Sequence, residues 1–155
     1  GQIIQIGTPE DIYDRPASMF IAQLIGTPGM NLLEAGNENG KLHVNDSLIQ
    51  FPLGSATEKL PTHFIMGIRP EDVQPGEQGD FSGEVALIEP LGVETILHIK
   101  SGQQMLLSTV SGMTRWRIND PIRFNIVREH LHYFDKSSQN RIIGARQAQL
   151  EGQPG

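Results

Sequence analysis

The sequence predicts a mainly β protein built as a small barrel in two halves, with a short helical segment in front. Three observations predict it. After Pro28, short apolar runs alternate with Asn-Gly, Asn-Asp and Ser-Gly turns. No segment there sustains helical spacing, and the helix-start and helix-stop signals all fall in the first 28 residues.

Each element has its own signal. The opening run Gln2-Ile3-Ile4-Gln5-Ile6 reads as a short strand with nothing before it to pair with, as expected of a chain that starts inside a larger protein. Thr8-Pro9-Glu10-Asp11 then offers a hydroxyl N-cap, proline at the first helical position and an acid in the first turn, and Pro16 stops this short helix. A second helix is expected from Ala17, with Met19, Phe20, Ile21, Leu24 and Ile25 on one broad apolar face and Gly26 and Pro28 ending it. That face needs a covering surface. Strands are expected at 31–35, 41–44, 48–51, 64–69, 83–89, 94–100, 103–109, 122–127 and 131–134. Asn39-Gly40 is the clearest hairpin turn. Residues 73–80, rich in Pro, Gly, Gln and acid, read as a surface linker between barrel halves, and 145–155 read as a disordered tail.

Composition narrows the function. The 155 residues suffice for one core or two small abutting ones, and there is no cysteine, so disulfide frameworks and thiolate metal sites are excluded. The net charge of -6 is the wrong sign for a domain gripping a phosphate backbone, which disfavours nucleic acid as partner. No apolar run approaches the roughly 18 residues that cross a bilayer.

The most informative stretch is Met66-Gly67-Ile68-Arg69-Pro70-Glu71-Asp72-Val73. Pro70 forbids a helix through it and biases Arg69 to extended backbone, so an apolar strand ends in a fixed, charged corner. Arg69, Pro70 and Glu71 are therefore read as a structural joint.

This stretch resembles the C-terminal regulatory domain of sugar-importing ABC transporter ATPases of the maltose type. Two further blocks resemble the same family in order. The first is Gly1-x-Ile3-x-Gln5-x-Gly7-Thr8-Pro9 with Ile12-Tyr13, Pro16, Phe20-Ile21-Ala22 and Ile25-Gly26-Thr27-Pro28-x-Met30-Asn31. The other is Gly83-Glu84-Val85, Glu89, Leu91-Gly92 and Glu94-Thr95, closed by His130-Leu131-His132-Tyr133-Phe134-Asp135. The resemblance implies an OB-fold-like small barrel plus a second small β (TOBE) subdomain. It divides the chain into 1–27, the end of a truncated nucleotide-binding domain; 28–146, the regulatory β-domain; and 147–155, the tail. It implies no catalytic, cofactor or metal residue in this segment, ATP and magnesium belonging upstream. The implied partners are a second copy through the regulatory domains, permease subunits through the parent protein and a cytoplasmic regulatory protein, at the cytoplasmic side of a bacterial inner membrane.

Other candidates are weighed residue by residue. Gly36 to Leu42 lacks the spacing and hydroxyl of a phosphate loop and reads as a hairpin. His130-x-His132 would place two imidazoles on one strand face, an incomplete set for zinc. His98, among Ile96, Leu97 and Ile99, reads as a satisfied barrel histidine, and Asn45-Asp46-Ser47 as an incidental glycosylation match. Glu71 and Asp72, adjacent on a strand, would point to opposite faces and could not share acid–base work; Glu71 is expected to be a local hydrogen-bond or ion-pair partner. Arg69 either satisfies carbonyls at the corner or binds an anion. Arg115-Trp116-Arg117 is thin as a base-stacking platform. Met113, Arg115, Trp116, Arg117 and Ile118 have the composition of an interface centre, together with the edge near 90–94, while Trp116 could equally plug the barrel end. Two functions follow: a noncatalytic regulatory and dimerisation domain, or a small-anion or substrate sensor giving feedback inhibition of transport, with Arg69 or Arg123 in its pocket.

Overall fold

A computed structural model describes residues 18–19, 28–52 and 60–142. The expected opening strand, both expected helices apart from Ser18 and Met19, and the tail 147–155 lie outside the described residues.

The chain is mainly β, as predicted. Its strands are β1 (Asn31–Glu38), β2 (Lys41–Val44), β3 (Gln50–Pro52), β4 (His63–Ile68), β5 (Val73–Pro75), β6 (Phe81–Pro90), β7 (Glu94–Ser101), β8 (Gln104–Ser111), β9 (Pro121–Ile126) and β10 (His132–Phe134). They form two five-stranded sheets, ordered β10-β4-β1-β2-β3 and β5-β9-β6-β7-β8. The chain divides into two compact units, one of residues 1–44, 50–67 and 132–155, the other of 45–49 and 68–131.

In the first unit, β1 and β2 are joined at Asn39 and Gly40, both at positive φ (55° and 74°), the two-residue turn expected from Asn-Gly. Register from this turn carries β1 through to Glu38. Leu33, Ala35, Leu42 and Val44 point inward. β4 is buried on both faces from Phe64 onward, and β10 is buried throughout. Phe64 meets Tyr133 edge to face at 5.7 Å, while His132 stacks on Phe134 and accepts from Arg141 Nη1 at 2.9 Å on its Nδ1. A guanidinium can only donate, so this bond fixes His132 Nδ1 as the acceptor. A side chain at Gly67 would strike Met30 Sδ and the Phe134 ring, so only glycine lets this core close.

The second unit is a nearly closed barrel. β9 alternates without error, with Ile122, Phe124 and Ile126 inward. The sheet's two edges, β5 and β8, come together where buried Ser108 Oγ donates to Val73 O at 2.6 Å. Inside lie Val73, Val85, Leu97, Ile99, Leu106 and Phe124, all fully buried. Residues 45–49, between β2 and β3, also belong here: Gln103 N donates to Asp46 O at 2.7 Å, and Ile49 is in the core.

The structure corrects three expectations. Residues 73–80 are no linker between halves, since Val73–Pro75 is β5, paired with β9, and both lie in one unit. A three-residue strand with one apolar residue and a proline is too short for periodicity to reveal. Leu48 and Ile49 are not strand, because β3 starts at Gln50. His130 and His132 do not share a strand face: His130 closes a 3-10 turn, Arg128–His130, and only His132 is in β10.

Ser108→Ala would leave the Val73 carbonyl buried without its hydroxyl partner and is expected to cost about 1–3 kcal/mol. Thermal melting against exposed Ser111→Ala checks this, and coincident curves would remove the bond from barrel closure. In the first unit, Asp135 Oδ1 accepts from Ser138 N at 2.8 Å and Ser137 N at 2.9 Å. The Ser138 amide foremost, then the Ser137 amide and the Ser138 hydroxyl, hold its carboxyl below the usual 3.8, against a smaller opposing effect of desolvation. With the folded value the lower one, the carboxylate stabilises the turn above the ordinary pKa, and that contribution is lost as pH falls through the lowered one. The stability gap between the wild-type chain and Asp135→Asn, measured by denaturant titration, should therefore narrow below pH 3.8.

Candidate interaction surface and structural corner

At the corner, Arg69 is extended (φ -70°, ψ 144°), as the residue before proline must be, and Pro70 starts a 3-10 turn, Pro70–Asp72. The two acids separate, by a turn rather than by strand alternation. Glu71 is exposed, whereas Asp72 is buried. Asp72 N donates to Arg69 O at 2.9 Å, Asp72 O accepts from Val127 N at 3.0 Å, and Asp72 Oδ1 lies 2.9 Å from His130 Nδ1. Sequence reasoning singled out Glu71 and passed over Asp72 as anchor; the usable signal was the Pro-Glu-Asp order, which turns the second acid inward on a short turn. Arg69 itself is buried. Arg123, the other candidate anion ligand, donates from Nε to Gly79 O at 2.8 Å.

The loop after β8 is held at both ends. Gly112 N donates to Val93 O at 2.6 Å, and Thr95 Oγ1 donates to Gly112 O at 2.7 Å. At the far end, β6 carries a bulge between Val85 and Leu87, and Val85 turns its backbone to the loop: Asn119 N donates to Val85 O at 2.7 Å, and Val85 N donates to Asp120 O at 2.9 Å. Arg117 N donates to Asp120 Oδ2 at 2.8 Å. Residues 113–118 are thereby presented as a fixed projection.

Met113 stands 95% exposed at its start and Val93 85% exposed beside it, with Leu91 in the same β6–β7 turn. Exposed apolar side chains on two pinned, adjoining turns form a patch, the kind of surface that marks a contact site. Glu94, Arg115 and Arg117, in the same two segments, are exposed as well. Trp116 is half-buried, with the Arg115 guanidinium 5.7 Å over its ring and Arg115 Nη2 3.6 Å from Glu77 Oε1. Ile118 is exposed. The five candidate residues thus share one loop, but only Met113 and Ile118 offer open apolar surface. Leu91 and Val93 fall in the edge near 90–94 that the sequence offered, though neither was singled out within it. Apolar residues flanking Gly92 in a hairpin turn, where polar residues are usual, were the signal.

The decoys find ordinary places. Gly36 to Leu42 spans the β1–β2 hairpin, so these residues do not fit a nucleotide's phosphates. His98 is half-buried, its Nε2 paired with the Glu89 carboxylate. Among the described residues no three His, Asp or Glu side chains gather as metal ligands, and no helix is long and apolar enough to cross a membrane.

A family model for the TOBE domain matches residues 66–134. The chain is 36% identical over 151 residues to the sn-glycerol-3-phosphate import ATP-binding protein UgpC of Psychromonas ingrahamii, covering 92% of this chain and 40% of that protein. It is 30% identical over 149 residues to the sulfoquinovosyl glycerol transport ATP-binding protein SmoE of Agrobacterium fabrum, covering 92% and 41%. It is also 30% identical over 157 residues to the ABC transporter ATP-binding protein YurJ of Bacillus subtilis, covering 92% and 43%. The chain spans about two fifths of the length of these relatives. Residues 66–134 thus match the TOBE domain, and 92% of the chain is similar to part of proteins named as ATP-binding subunits for sn-glycerol-3-phosphate import and sulfoquinovosyl glycerol transport.

Proposed function

We propose that this chain is a noncatalytic regulatory and dimerisation segment of the ATP-binding subunit of an ABC importer for sugars or related polyol phosphates. The observation that carries the dimerisation reading is the exposure of Leu91, Val93 and Met113 on two turns joined by the Gly112–Val93 hydrogen bond. A two-fold contact brings the same patch from both copies together. The apolar centres of the two copies then meet and leave water together. A nucleic acid is a poor occupant for a chain of net charge -6.

ATP and magnesium chemistry belongs, in this reading, to the remainder of the parent protein, because the hairpin at Gly36 to Leu42 offers no cradle for phosphates. The permease and any cytoplasmic regulator would be engaged through the whole subunit, placed peripherally on the cytoplasmic face of the membrane. Arg69, Pro70 and Glu71 serve structure: they shape the corner that seats Asp72.

Sedimentation across a concentration series tests association. Val93→Asp should weaken it about tenfold or more, equivalent to roughly 1.4 kcal/mol, and Trp116→Ala should act less, through the loop alone. A parent chain monomeric at millimolar concentration would overturn the reading. At the corner, Arg69→Ala and Asp72→Ala should each lower stability by about 1–3 kcal/mol. An Arg69→Ala chain of unchanged stability that lost binding of an anion would favour the sensing function instead.

A further inference from the structure

We propose that Met113 is a site of reversible oxidation, and that its sulfoxide switches off association through the patch. The consequence rests on the association reading above; the chemistry does not.

The chain has five methionines. Met30 and Met66 are buried in the core, Met19 is partly buried against the same core, and Met105 is 44% exposed on β8. Met113 alone is almost wholly in water, on a turn whose base is fixed by the Gly112–Val93 and Thr95–Gly112 bonds. Gly112 is at positive φ (72°), so a residue with a side chain would be strained there and this presentation of Met113 would change. Access to oxidant is thus set by the fold, and the fold sorts these side chains sharply.

The step needs a hydroperoxide. The thioether sulfur attacks one peroxide oxygen, the O–O bond breaks and a sulfur–oxygen bond forms. The proton of the attacked oxygen passes to the departing one, which leaves as water or an alcohol. Sulfur gives up two electrons and the peroxide gains them. A flexible apolar tip becomes polar and strongly hydrated, and reductases that act on methionine sulfoxide can restore it. Placed beside Leu91 and Val93, the sulfoxide must shed its water before a second copy can seat, so the contact weakens just where it is most apolar.

The test uses the whole chain and hydrogen peroxide. Peptide mass mapping over time should show Met113 converted first, Met105 next, and Met30 and Met66 last. Sedimentation of the oxidised chain should show association weakened about tenfold, and Met113→Gln should behave likewise untreated. Met113→Leu should associate like the wild-type chain and lose nothing on oxidation. Conversion of Met105 at the same rate as Met113 would overturn the site. A Met113 sulfoxide chain that associates normally, while Val93→Asp does not, would overturn the switch and leave the patch. A wild-type chain monomeric throughout would overturn the switch together with the association reading.

Discussion

Three hydrogen bonds made by one buried residue hold the second barrel's chain ends together. Asp72 takes Arg69 by its amide, Val127 by its carbonyl and His130 by its carboxylate. Arg69 follows the residue at which the chain enters this unit, and His130 precedes the one at which it leaves. A buried carboxylate is costly unless its acceptor capacity is used, so Asp72 is both dependent on its partners and demanding of their geometry. Pro70 makes that geometry cheap, because its fixed φ sets the turn before any partner arrives.

From that closure the rest of the barrel follows. Val73, next in the chain, starts β5 and offers its carbonyl to Ser108, so the same few residues that tie the ends also bring the sheet's edges together. Within the barrel, β6 carries a bulge between Val85 and Leu87 where it pairs with β7. The amide and carbonyl of Val85, beside the bulge, continue the β9 side of the strand and fix Asp120 and Asn119. The exposed loop is therefore a by-product of strand geometry, and its apolar residues are held out by hydrogen bonds made beneath them.

Much of the fold was legible because the strands are regular. The alternation of β9 and the Asn39-Gly40 turn carry their structure in their residue types. The resemblance located the TOBE domain by way of Gly67-Ile68-Arg69-Pro70-Glu71, inside the matched span. What stayed hidden was short or non-local. β5 has too few residues for a period, and the inward turn of Asp72 depends on His130, far along the sequence. The excursion of residues 45–49 into the second unit depends on Gly102, where a side chain would meet Asp46 and Ser47. At the surface, composition pointed to Met113, Trp116 and Ile118 together; the structure sets the Arg115 guanidinium over the Trp116 ring and leaves open apolar area at Met113, Ile118 and the turn at Leu91 and Val93. Apolar area becomes a patch only when two turns adjoin, which no local pattern records.

The pairing of β10 with β4 has a consequence for the order of assembly. His132 lies opposite Gly67, so this ladder closes a loop containing the whole of residues 68–131. For an unstructured loop of about 60 residues the length-dependent entropy cost is about 4 kcal/mol. If the loop is already folded, with Asp72 joining its two ends, most of that cost has been met by contacts inside it. The β10–β4 pairing is then a contact between segments already brought near in sequence terms, and a long search becomes a short one.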